Sequence, residues 1–581
     1  MKDDEKSYSK RILDFIEKDR FSLTSAVVYV FIISVIRSFL EAYISGYGAY
    51  TLNIIAQHVL ISYPEILMGA LVVYAITKIH IRKIWNVILL GFWILILPPL
   101  IDLFIFGKSG TVLIDEYSYQ NVENILALLL NLWNPFYLSK YGSNGLLIMF
   151  YGMMIGTASY VALRLDLPSK IVDSFSDISN VKGLVKTFGK VVLSFFGIGV
   201  VTWSIGSFSL ILRIGKKGVI LFNNYTLPYY TKYYRFFESH NYDYYQIYPQ
   251  PNSGVIGLIE SLAFQQRNLL MSSFFIILTI IFTFISLYTN YRKHLNIMLK
   301  NIKKLRYLLF TICGFLGVAS VHLIDPAYVK GLSINPFYIL HFPYVFFLVI
   351  SIMLVVAFDD LIDQIFAFNR DEERDNPISD GIVPKYHYKH LALAFALTAI
   401  FLSFVLGWIT FFICLFWILT SVFYRWLVGS KKDGVFLGLY GVLAMVMGVY
   451  TPGEWKALIM EYEGGEFIYS SKEYISRVPS INFEMILIAI WIFLALAMFN
   501  YFKKVLENED IDDSIYKKSI IYIVTVSLIM MPVYLRTDIL SILLFSCAAI
   551  GTIIWFKIIK TTIVLKIGFI FTATILFSLL I

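Results

Sequence analysis

Residues 337–363 read FYILHFPYVFFLVISIMLVVAFDDLID, and this stretch decides the architecture. Residues 337–358 carry no Asp, Glu, Lys or Arg. As a helix rising 1.5 Å per residue they reach about 33 Å, the thickness of a bilayer's hydrocarbon layer. Asp359, Asp360 and Asp363 then arrive together. An apolar run of this length that ends in a burst of acid reads as a helix that crosses lipid and stops at its polar edge.

Runs of the same kind recur on both sides. In the second half they lie near 306–324, 390–407, 409–427, 435–450, 483–502, 519–535, 539–556 and 562–581, which makes nine spans. The first half offers six, near 22–44, 53–77, 84–105, 144–163, 190–212 and 268–290. A shorter segment near 121–138, ending in Asn134-Pro135, reads as a half-helix. The expected fold is an all-α polytopic membrane protein with about 15 transmembrane helices. Composition agrees: of 581 residues, 58% are hydrophobic and only 15% charged, whereas soluble domains are nearer a quarter charged. A soluble enzyme is excluded. Cys313, Cys414 and Cys547 all fall inside apolar runs, too far apart for a metal or disulfide signature, and read as small core hydrophobes.

The basic stretch from Arg292 to Arg306 divides the chain into an N-terminal polytopic domain, 1–295, and a second domain, 296–581, with no repeat of one in the other. The sign of the charges sets the sides, because Lys and Arg collect in short cytoplasmic loops. Lys78, Arg82 and Lys83 follow the second span, Lys170, Lys182 and Lys186 the fourth, and Arg292 to Arg306 the sixth. All fall on the side of the N-terminus, which predicts a cytoplasmic N-terminus in a multi-pass protein of the cell membrane. The Tyr-rich run Tyr225–Tyr248 then falls outside, at headgroup depth, although Arg213, Lys216 and Lys217 pull the other way. The net charge of +8 suits anionic lipid rather than nucleic acid.

Two acidic loops of the second domain carry the candidate chemistry. The first runs from Phe358 to Gly381 and the second, Lys503 to Ser514, follows the sixth span of this domain. Four spans lie between them, so both return to the same, cytoplasmic, face. Asp360 and Asp363 are three apart on a helix end and share one side of it. Like charges held together there are costly unless a cation joins them. Mg²⁺ is typically held by one or two carboxylates plus substrate phosphates, and Arg370 and Arg374 can grip the same phosphates. The alternative is a solvated loop whose arginines pair with its own acids. His387 and His390 read either as a base or ligand, or as headgroup contacts.

Asp359-Asp360-x-x-Asp363, followed by Asn376-Pro377-Ile378-Ser379-Asp380-Gly381, resembles the first aspartate-rich motif of the UbiA superfamily of intramembrane prenyltransferases. Asp359 stands at the motif's Asn, Ala367 replaces its third aspartate and Asn376 its Arg, while Pro377 and Gly381 are kept. The family's second motif is partly matched: Lys504 and Asp512 are kept, Val505 and Asn508 replace aspartates, and Lys518-Ser519 sits at a Lys-Thr pair. The resemblance covers about 296–581 and implies a nine-helix bundle with motif loops after helices two and six. It implies Mg²⁺-dependent transfer of a polyprenyl group from its diphosphate to a lipid or aromatic acceptor. Asp360 and Asp363 would be catalytic and, with Asp359 as an accessory, hold one metal. Asn508 and Asp512 would serve a second metal, and Arg370, Arg374, Lys431, Lys432 and Lys518 the diphosphate. Losing three carboxylates weakens metal binding. The alternative is therefore a UbiA-like protein that binds or moves isoprenoid lipid without catalysis. An ion-coupled transporter ranks third, since its marks are charges buried in mid-span and the acids here cluster in loops.

Overall fold

The computed structural model describes residues 10–18, 20–45, 52–106, 144–176, 180–206, 272–289, 304–324, 342–369, 383–427 and 433–451, with a few short pieces besides. The expected half-helix at 121–138, the Tyr-rich run, the second acidic loop and the last three spans lie outside the described residues. The chain divides into two compact units, Met1–Asn296 and Ile297–Ile581. Among the described residues, seven helices are long and apolar enough to cross a membrane.

In the first unit a short helix at 10–16 (α1) precedes α2 (Leu23–Ser45) and α3 (Leu52–Thr77), close to the expected limits. On α2 the buried Ala26, Val30 and Ile33 face inward, while Ile32, Ile36, Phe39 and Tyr43 stay exposed. A helix apolar all round is what lipid demands. The α2–α3 seam is tied by Ser34 Oγ to Ser62 Oγ and by Ser38 Oγ to His58 Nδ1, each 3.0 Å. Glu65 lies within electrostatic reach of Arg37 in this seam, so the expectation that acids avoid the spans fails here.

The span expected at 84–105 is broken into α4 (Ile81–Gly91), a 3₁₀ turn (Phe92–Ile96) and α5 (Leu97–Phe106). Pro98 and Pro99 have no N–H for the carbonyls of Ile94 and Leu95, and the tighter turn absorbs the loss, with Leu97 N donating to Ile94 O. Next come α6 (Asn144–Arg164), α7 (Leu167–Ser176), α8 (Val181–Gly206) and α9 (Ser272–Thr289). Helix α7 was not expected; it is short and leaves Ile171, Val172 and Phe175 exposed. Helix α8 begins nine residues before the expected span, because Lys182 and Lys186 lower hydropathy without breaking a helix.

The second unit begins with α10 (Lys304–Ile324), α11 (Phe342–Asn369), α12 (Lys385–Leu406), α13 (Trp408–Leu427) and α14 (Asp433–Tyr450). Backbones of α10 and α14 approach so closely that a Cβ on Gly317 would strike Met445 O and one on Gly448 would strike Gly314 O. Small residues at such a seam let helices pack where lipid removes the hydrophobic drive. Gly407 alone joins α12 to α13, at φ 151°, a conformation open to glycine. A short antiparallel pair, Glu461–Glu463 with Glu466–Ile468, follows and was not foreseen.

Helix α11 corrects the first acidic loop. The helix does not stop at Phe358 but continues to Asn369. No helix breaker lies in that stretch, and the acids find cations on neighbouring helices.

Candidate functional site

Helix α11 is 28 residues long, about 42 Å, and Asp359 lies about 26 Å from its start, at the far edge of a hydrocarbon layer. Asp359, Asp360 and Asp363 are all buried. Arg425, in the last turn of α13 and only 3% exposed, spans two of them. Its Nη2 donates to Asp359 Oδ2 at 3.1 Å and its Nη1 lies 2.8 Å from Asp363 Oδ1. Arg306, near the start of α10 and 18% exposed, lies 3.6 Å from Asp359 Oδ2 and 3.5 Å from Asp360 Oδ1. Residues four apart on a helix share a side, so Asp359 and Asp363 meet one guanidinium while Asp360, a step further round, meets the other. The sequence had paired Asp360 with Asp363 and left Asp359 as an accessory. Asp359 instead is the carboxylate common to both arginines.

Three carboxylates against two guanidinium groups leave one negative charge among these five residues. Asp359 Oδ1 is buried and accepts no hydrogen bond among the described residues. Below the cluster, Ser421, Trp417 and Cys414 continue the buried face of α13. Trp417 packs at 5.7 Å and 5.6 Å, ring to ring, against Phe310 and Tyr440. The ion cluster thus sits beside a buried, aromatic and apolar interior.

Mg²⁺ accepts one or two carboxylates when phosphate oxygens and waters complete its shell. Asp359 Oδ1 and the Asp360 carboxylate suit that mode, whereas Asp363 Oδ1 is committed to Arg425. Among the described residues no group of three or more His, Cys, Asp or Glu side chains converges as a protein-only cage.

Gly381 has φ 67° and its N–H donates to Ile378 O at 3.1 Å, so glycine is required by the turn. Lys385 Nζ donates to Asn369 Oδ1 and sits 4.8 Å over the Phe368 ring, tying α12 to the end of α11. His387 and His390 flank Tyr386, with ring centroids at 4.0 Å and 6.4 Å. Arg370, Arg374, Lys431, Lys432, Asn508, Asp512 and Lys518 lie outside the described residues. Sequence reasoning missed Arg425 and counted Arg306 only as a topological charge. The available signal was a lone arginine closing an apolar run on the same side as Ser421 and Trp417.

Fold and site together define a helical membrane protein whose second unit buries a carboxylate–guanidinium cluster at one end of a long apolar helix. Comparison with known protein families, curated proteins and solved structures finds no match for this chain.

Proposed function

We propose that the second unit is a UbiA-like nine-helix domain that binds a polyprenyl diphosphate and transfers the polyprenyl group to a lipid or aromatic acceptor. The observation that carries this reading is the convergence of Arg306 and Arg425 on Asp359, Asp360 and Asp363 beside an aromatic interior. In this reading the protein has about 15 spans, and its N-terminus and both acidic segments face the cytoplasm.

The reaction breaks the allylic C–O bond of the donor, and the electron pair leaves with the diphosphate. The acceptor's nucleophilic atom bonds the allylic carbon and then gives up a proton. Charge grows on the departing oxygens, so cations fixed beside them stabilise the transition state more than the ground state. Arg306 and Arg425 supply two such charges, and the three aspartates hold them in place. Asp359 and Asp360 would hold Mg²⁺, which would supply further charge neutralisation there. The rings of Phe310, Trp417 and Tyr440 make the interior beside the cluster aromatic and apolar.

A second reading, an isoprenoid-binding protein without turnover, is favoured by one observation: Arg425 already engages both Asp359 and Asp363. One experiment separates the two. Purified protein is incubated with Mg²⁺, a labelled polyprenyl diphosphate and a membrane-lipid and quinone-precursor extract. Transfer or diphosphate release is expected. Saturable donor binding without turnover favours the second reading, and absence of both across several chain lengths overturns the site.

A further inference from the structure

The first unit holds a second ionic cluster, remote in sequence from the first and independent of the reading above. Glu17 directly follows α1, and its side chain is only 9% exposed. Its Oε2 accepts from Lys83 Nζ at 2.7 Å, and its Oε1 accepts from Tyr160 OH at 3.1 Å and lies 2.9 Å from Arg164 Nε in an ion pair. Its backbone carbonyl accepts from Asn86 Nδ2 at 3.4 Å. Lys83 stands in the first turn of α4, while Tyr160 and Arg164 stand one turn apart at the end of α6. Three donors from two helices therefore converge on one carboxylate, at helix ends that the charge map assigns to the cytoplasmic edge.

The cradle is larger in charge than its present occupant. Two cations face one carboxylate, leaving an excess of one positive charge. A phosphate monoester brings a charge near −2 and three terminal oxygens, which matches two cations and three donors. The guanidinium and ammonium side chains are 38% and 42% exposed, so the cradle is open to solvent on one side. Leu13 and Ile16 are partly buried against the core of this unit, while Phe15 is exposed, with the Arg20 guanidinium carbon 3.9 Å over its ring.

We propose that Lys83, Tyr160 and Arg164 form a binding site for a phosphate monoester, which Glu17 fills in cis until the ligand displaces it. The phosphate can come from an anionic lipid headgroup at the membrane edge or from a free solute, and the two sources are separable. Full-length protein is placed in phosphatidylcholine nanodiscs. In one arm inorganic phosphate is titrated, and binding is followed by microscale thermophoresis. In the other, phosphatidic acid is added to the nanodiscs, and co-purifying lipid is counted by native mass spectrometry. Glu17→Gln removes the competing charge and is expected to raise phosphate or phosphatidic acid binding about tenfold, a difference of about 1.4 kcal/mol. Adding Lys83→Ala and Arg164→Gln should abolish the gain. A gain in the first arm alone assigns a solute, and a gain in the second assigns the lipid headgroup. No gain in either arm, or a gain that survives loss of both cations, overturns the proposal and leaves Glu17 a structural tie. Lys83→Ala in the otherwise unchanged chain is a second check: binding must fall below that of the parent protein, and unchanged binding also overturns the site.

Discussion

Replacing Arg425 with methionine keeps an unbranched apolar stem of similar reach and removes the guanidinium. Asp359 Oδ2 then loses its 3.1 Å donor and Asp363 Oδ1 its 2.8 Å ion pair, while Arg306 remains 3.6 Å from Asp359. Removing one partner of a buried ion pair costs about 3–5 kcal/mol, because the other charge stays behind without its compensation. At roughly 2–4 °C per kcal/mol for a domain of this order, the melting temperature should fall by about 6–20 °C. The assay is thermal unfolding of the purified protein in detergent, followed by tryptophan fluorescence, with the melt repeated on Arg425→Met/Asp359→Asn/Asp363→Asn. Neutralising Arg425 together with its two partners removes these buried charges at once and leaves Asp360 facing Arg306, so the triple variant should recover most of the loss. An Arg425→Met protein that melts with the parent would refute the reasoning, and so would a triple variant no more stable than the single one.

Arg306→Ala should destabilise less than Arg425→Met in the same melt, because Arg306 is partly exposed and its contacts are 3.5 Å and 3.6 Å. Gly317→Ala and Gly448→Ala should each cost about 1–3 kcal/mol or more, since the new Cβ meets backbone oxygen that cannot rotate away. Gly156→Ala, where nothing lies within 4 Å of the new carbon, is the control and should be neutral or slightly stabilising. In the transfer assay, Asp360→Asn and Asp363→Asn should abolish turnover while the protein stays folded by circular dichroism, and turnover in both at the parent rate would end the assignment. Chelation with EDTA should stop transfer and added Mg²⁺ should restore it, whereas EDTA-resistant transfer would remove the metal from the proposal.

Most helices were legible in the sequence because lipid imposes a simple rule on every residue of a span. The run at 53–77 became α3 at Leu52–Thr77, and 144–163 became α6 at Asn144–Arg164. Limits failed where charge and helix disagree. Two lysines hid the start of α8, and three aspartates hid the last eleven residues of α11. Hydropathy measures the cost of placing a side chain in lipid, but a helix ends only where its backbone bonds end. A charge with a partner, or one placed past the hydrocarbon, does not end it. The break in α4–α5 followed from Pro98-Pro99, which the sequence displays but whose effect depends on the local turn.

By itself, then, the sequence determined that the chain forms helices long and apolar enough to cross a membrane, and it singled out Asp359, Asp360 and Asp363 at the end of one of them. Periodicity and composition are local properties, and lipid acts on them residue by residue. Only the tertiary structure decided what those acids face. Arg306, Arg425 and Asp359 are separated by 50 or more residues, and Glu17 is separated from Lys83, Tyr160 and Arg164 by still more. No spacing rule reaches that far, because such pairs depend on which helices pack together, a choice made by glycine seams and buried side chains spread over the whole unit.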